Sequence, residues 1–222
     1  MWRIVRGAVL AAAVALAAGC GRATGPDAPP VREDSTPGLA SALLVPRDMP
    51  DGYLPAEAQP AFHGVVARGP HCRRLLALAD GRSLRDAPGT GTSFYQRAPG
   101  ATLTQHLFAT GVARAKRILA ETRKEASKCR LLRARVGGTE LILPQVPLEV
   151  PGLPARDTVA VRFAEPEDER RELGYEFVMH RVGGVLLVVA QPGIVRAGAP
   201  SVTADAAGRA AERLGGTHKL GP

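Results

Sequence analysis

The sequence predicts an α+β domain: one antiparallel sheet of six or seven strands, helices packed on one face, and one disulfide. Three observations carry this. Segments with helical and strand periodicity come in blocks rather than as alternating βα units. Glycine-bearing turns (Ala98-Pro99-Gly100, Gly137-Gly138 and Gly183-Gly184) each separate two apolar runs, the pattern of β-hairpins. Finally, two cysteines fall in phase with the apolar stripes of two helices.

The chain has 222 residues, enough for one ordinary domain with appendages. Its first nineteen residues read as a lipoprotein signal peptide. Arg3 and Arg6 form a basic start, and Gly7–Ala18 is apolar but too short to span a bilayer as a helix. The run ends Leu16-Ala17-Ala18-Gly19-Cys20, small residues before a cysteine, which resembles a bacterial lipobox. Small side chains let the backbone lie extended in a signal peptidase, and the Cys20 thiol would then carry a diacylglycerol thioether. Ala17 stands where leucine is commonest. The alternative is ordinary secretion with Cys20 incidental. Two or more acyl chains, palmitate for example, give stable membrane anchoring where one is marginal. The expected location is the extracellular face of the cell membrane.

Residues 20–37 are polar and rich in proline and glycine, a flexible tether spanning roughly 20–25 Å. The folded domain is expected at 38–214, followed by a tail at 215–222. Leu39–Val45 reads as a short helix stopped by Pro46, and residues 48–53 as a loop. Residues 60–69 carry no decisive pattern. Cys72, Leu75, Leu76 and Ala79 share one helix face in Pro70–Ala79. Ala115, Ile118, Leu119, Thr122, Ala126 and Cys129 do the same in Val112–Cys129. Strands are expected at Ser93–Arg97, Thr102–Phe108, Leu131–Val136, Thr139–Leu143, Thr158–Ala164, Leu173–Val182 and Val185–Ala190. The last is apolar throughout, which suits a central strand buried on both faces or against a helix. Ser201 caps a final helix through Leu214, with Ala206, Ala207 and Ala210 for close packing.

Of three cysteines, lipidation takes Cys20 and leaves Cys72 and Cys129, an even number for an oxidising compartment. Both point where their helices pack, so a bridge fits; two buried free thiols are the alternative. A loop of this length would contribute about 4 kcal/mol in the chain-entropy picture.

The formal net charge is +8, falling to +6 once Arg3 and Arg6 leave with the leader. Only four of the 29 basic residues are lysines, which suits a GC-rich coding bias. The basic residues are scattered and no nucleic-acid motif is present, so nucleic acid is not an expected partner. The mature chain also lacks tryptophan, against carbohydrate or single-strand stacking platforms.

The order of features resembles a known family. Leu43-Leu44 precedes Asp48-Met49-Pro50-Asp51-Gly52-Tyr53. Cys72-Arg73-Arg74-Leu75-Leu76, a hairpin, an Ala-rich helix ending at Cys129 and Arg181–Val185 follow. This is similar to the extracellular sensor domain of mycobacterial PknH-type serine/threonine kinases and to actinobacterial lipoproteins sharing it. The resemblance implies an antiparallel sheet with helices on one side, a cleft for an unidentified ligand, and no catalytic residues. Some members carry two disulfides, whereas one pair is available here. With no kinase domain in this chain, signalling would need a separate partner.

No nucleophile, metal or cofactor signature stands out. Gly89–Ser93 lacks the lysine of a phosphate loop. Glu165–Glu169 is consecutive rather than alternating, and reads as a solvated hairpin tip rather than a calcium loop. The five histidines have no metal spacing. Tyr95, Arg97, Thr104, His106, Arg162, Glu176 and His180 fall on the polar sets of their strands. They are expected to line one uncovered sheet face as a groove for an anionic or amphiphilic ligand, or else to form a plain solvated face. A one-residue register error would move each to the opposite face. The expected function is a non-enzymatic, membrane-anchored, sensor-like ligand-binding lipoprotein. It would take an unidentified small molecule or envelope component, without cofactor or metal. The alternative is a structural or interaction lipoprotein docking to an envelope protein.

Overall fold

A computed structural model describes residues 37–97, 100–164, 173–194 and 200–218. The strands are β1 (Tyr53–Ala56), β2 (Val66–Arg68), β3 (Gly89–Gln96), β4 (Ala101–Ala109), β5 (Leu131–Val136), β6 (Thr139–Val146), β7 (Thr158–Ala164), β8 (Leu173–Val182) and β9 (Val185–Ile194). The helices are α1 (Pro37–Ala40), α2 (Pro70–Ala79), α3 (Val112–Lys128) and α4 (Val202–His218). All nine strands join one open antiparallel sheet, in the order β1-β3-β4-β9-β8-β7-β6-β5-β2.

The sheet thus has nine strands rather than six or seven. The additional two are its edges, β1 and β2, four and three residues long. Neither is long enough to show a period of two, and Pro55 inside β1 is tolerated only because an edge strand need not donate on both sides. The helical boundaries differ too. α1 covers Pro37–Ala40 rather than Leu39–Val45, and α4 continues past Leu214 to His218.

The hairpins form where glycine allows them. Gly137 and Gly138 between β5 and β6 sit at φ +54° and +88°, the paired positive dihedrals a two-residue hairpin demands. Gly184 is required for space instead: a Cβ there would lie 3.0 Å from the Gly111 Cα. The Gly184 carbonyl accepts from the backbone N–H groups of Thr110 and Gly111, both at 2.9 Å, fixing the start of α3 against the β8–β9 turn.

Helices cover both faces of the sheet, not one. On the first face, Leu75 of α2 and Ile118 and Leu119 of α3 share a core with Phe177, Met179 and Val188. On the second, Ala207, Ala210 and Leu214 of α4 and Leu39 of α1 pack with Leu103, Leu107, Val178, Leu187 and Val189. β9 is therefore apolar throughout because Leu186, Val188 and Ala190 face one core and Leu187 and Val189 the other. α4 approaches closely because its inward positions are alanines.

Cys72 and Cys129 form the expected disulfide, S–S 1.97 Å and Cα–Cα 5.0 Å, joining the first turn of α2 to the residue after α3. A second brace was not legible in the sequence. β1 and β2 lie at opposite edges, so residues 57–65 must cross the first face between them. Phe62 pins this crossing. Its ring is buried edge-on against Tyr175 at 5.9 Å and Phe177 at 6.4 Å. Its backbone N–H donates to Asp80 Oδ1 at 2.9 Å. Burial pushes the Asp80 carboxyl up, while the Phe62 N–H and the Arg82 guanidinium pull it back.

Candidate functional site

The seven expected groove residues do not share a face. Ser93 and Thr104 are cross-strand partners whose hydroxyls meet at 3.1 Å, and Tyr95 and His106 share their side of the sheet, towards α2 and α3. Arg162, Glu176 and His180 lie on the opposite side, towards α4, with Arg162 paired to Glu176 and His180 to Thr158. Arg97 is exposed in the turn after β3. The reason is coverage from both sides: a polar set on one strand and a polar set on another can each be an inward, satisfied set.

Tyr95 is 41% exposed, whereas Thr104, Arg162, Glu176 and His180 are buried internal fastenings and His106 is partly buried. Arg162 Nε donates to Glu176 Oε1, with the two side chains 7% and 2% exposed. The other Glu176 oxygen accepts from Ser201 Oγ at 2.6 Å, and Ser201 Oγ in turn caps α4 by accepting from the Ala204 N–H at 3.0 Å. Tyr53 Oη and Thr203 Oγ1 both reach Gln191 Oε1. Burial, and then the Glu176 charge, push the Tyr53 phenol up. His106 is held neutral: burial drives its pKa down to about 4, and the Gln59 backbone opposes without reversing this. Its Nε2 is buried without a hydrogen bond, and its Nδ1 lies where a Cβ on Gly91 would come within 2.6 Å. His180 Nδ1 meets Thr158 Oγ1 at 2.9 Å. Burial lowers its pKa against the pull of Asp157.

Ser93 and Thr104 hydrogen-bond each other, and the hydroxyl that meets a histidine of this set is that of Thr158, beside His180. Among the described residues, no group of three or more His, Cys, Asp or Glu could hold a metal ion. His71 instead bridges helices, with Nδ1 2.6 Å from Glu125 Oε2. Glu165–Glu169 lies outside the described residues.

A concave feature lies elsewhere, beside α3. Lys116, Leu119 and Arg123 follow i, i+3, i+7 on one helical row. With Arg156 and Asp157 of the short helical turn Ala155–Asp157, and Arg181 near the end of β8, they line an open pocket of about 430 Å³. Arg123 Nη2 anchors the turn, donating to the carbonyls of Ala155, Arg156 and Thr158 at 3.1–3.2 Å. Arg181 donates to Asp157 and to the Gly183 carbonyl, while its Nε is buried without an acceptor. Arg156 Nε reaches Asp157 Oδ2 at 3.3 Å. Asp157 is held below the usual carboxylate range, chiefly by its hydrogen bond from Arg181. His180 steadies the turn from the far side through Thr158. Four cations thus face one carboxylate. Of these five charged residues, sequence reasoning singled out none for the site. The Lys116–Arg123 row was legible, but Arg156 and Arg181 join it only through the fold.

Fold and site together define an open-sheet α+β domain with a cystine and a basic pocket. The solved structures include the same fold in the extracellular domain of PknH from Mycobacterium tuberculosis. The two superpose with TM-score 0.58 at 16% identity, over 82% of this chain and 95% of that one. The expected resemblance therefore holds at the level of the fold. An uncharacterised protein of Mycobacterium smegmatis, the Rv0999 ortholog, aligns over 81% of this chain and 95% of its own, with TM-score 0.39 and 12% identity. No family profile and no curated protein matches the chain. Among the described residues, no helix is long and apolar enough to cross a membrane.

Proposed function

We propose that this protein is an extracytoplasmic lipoprotein whose domain binds a ligand without transforming it. The observation that carries the reading is a fold shared with 95% of a domain that works outside a membrane. The cystine agrees with an oxidising compartment. Leu16–Cys20 supplies the acyl anchor, and the tether lifts the domain off the bilayer. The open pocket beside α3 is the concave surface such a role requires.

Two measurements test this. Cys20→Ala should move the protein from the membrane fraction to the soluble or secreted one; continued membrane retention would refute the anchor. A thermal-shift screen with envelope glycolipids, peptidoglycan fragments and small anions should find a stabilising compound, and uniform silence would refute the ligand.

The second reading, an interaction lipoprotein docking to an envelope protein, has one observation in its favour. Neither α1 nor α4 covers the second face of β2, β5 and β6, where Val66, Leu131 and Ile142 are 64%, 41% and 53% exposed. Arg68, Arg133, Arg135 and Glu140 share that face, which breaks the apolar area into pieces. Ile142→Asp abolishing cross-linking to an envelope protein on intact cells would favour this reading over the first.

A further inference from the structure

The pocket's charge and the direction of its donors say more than that something fits. Neither Lys116 nor Arg123 has a carboxylate partner among the described residues. Arg156 and Arg181 share a single carboxylate, Asp157. The Arg156 side chain is 87% exposed, with its Nε 3.3 Å from Asp157 Oδ2. Arg181 keeps its buried Nε unused. These donors come from three elements around one space: α3, the Ala155–Asp157 turn and β8. A flat carboxylate offers acceptors in one plane, whereas donors arriving from three sides suit a tetrahedral oxyanion, and arginine forks match phosphate oxygens in pairs. The Asp157 carboxylate already accepts from both Arg156 and Arg181, as ligand oxygens would. The volume, about 430 Å³, lies within the span of small-molecule sites.

We infer that the pocket lined by Lys116, Arg123, Arg156 and Arg181 binds a phosphate-bearing ligand, with Asp157 as its internal competitor. This rests on the ligand-binding reading and names the chemistry of the ligand. A free phosphate compound and a phospholipid headgroup present the same chemistry. Asp157→Asn removes the competitor and tightens binding, while Lys116→Glu weakens it.

The test is calorimetric titration of the detergent-solubilised full-length protein at fixed ionic strength. The titrants are pyrophosphate and, separately, a water-soluble short-chain phosphatidylglycerol. A neutral peptidoglycan disaccharide runs beside them. Lys116→Glu should raise Kd about tenfold with an unchanged thermal midpoint. Arg133→Glu, an exposed charge reversal on the opposite face of the sheet, should leave Kd unchanged. Binding of pyrophosphate alone assigns a soluble source, and binding of the lipid alone a headgroup. Binding of neither overturns the proposal, as does equal weakening by Arg133→Glu, or weaker binding by Asp157→Asn. A response to the neutral disaccharide alone would remove the phosphate site and leave the ligand-binding reading standing. Silence towards all three, repeated across the wider screen, would remove both.

Discussion

Phe62→Ala tests whether the crossing segment 57–65 is a structural member. The Phe62 side chain is 1% exposed and sits in edge-on contact with two aromatic rings. Truncating a buried phenylalanine costs about 3–5 kcal/mol. Each aromatic pair carries about 0.5–1.5 kcal/mol beyond burial, part of which is already inside that range. An expected loss of about 4 kcal/mol corresponds to a fall of about 8–16 °C in Tm for a domain of this size. Urea denaturation at pH 7, followed by far-UV circular dichroism, reads the loss directly. Phe62→Leu should lose markedly less, because volume is largely kept. A double-substitution cycle with Phe177→Leu should show coupling above about 0.5 kcal/mol. A loss below about 1 kcal/mol for Phe62→Ala would mean that the crossing rests on the sheet without holding it, and the reasoning would fail.

Two further predictions concern the internal fastenings. His106 titrates near 4 in the folded chain against 6.5 ordinarily, so the unfolded chain takes up the proton first. Its contribution is full above about pH 6.5 and fades as pH falls towards 4, about 3 kcal/mol in all. Subtracting the urea-midpoint profile of His106→Gln from the native one between pH 4 and 7.5 should reveal that slope, and parallel profiles would refute it. Arg162→Ala should cost about 3–5 kcal/mol by stranding the buried Glu176 charge. Arg162→Met combined with Glu176→Gln should cost less than Arg162→Ala alone, and chemical denaturation of both variants decides.

Legibility in the sequence followed periodicity. Both cystine helices announced their inner faces, with Cys72 and Cys129 in phase, and the glycine turns marked three hairpins. The unbroken apolar run in β9 foretold a strand at the centre. What stayed hidden has physical reasons. A strand of three or four residues, such as β2 or β1, has too few positions to show alternation. Alternation also identifies the two sides of one strand without saying which side of the sheet either will face. His106 and Arg162 could therefore look like neighbours while lying on opposite sides of the backbone. Their polarity suggested water, yet Arg162 is buried with a charged partner and His106 is partly buried by remaining neutral. The pocket was hidden for another reason: Arg123 and Arg181 are far apart in the chain and converge only when α3 lies across β8.

The placement of β1 and β2 bears on the order in which the sheet can close. Both are made early, yet each closes an outer margin of the sheet, and β2 pairs with β5, 65–69 residues later. A chain made from its N-terminus must keep residues 53–68 waiting while their partners are synthesised. Until they dock, β3 and β5 present unpaired backbone to other chains. The Cys72–Cys129 link needs only α2 and α3 to be complete, so the staple can close over β3 and β4 while β2 still lacks its partner strand β5.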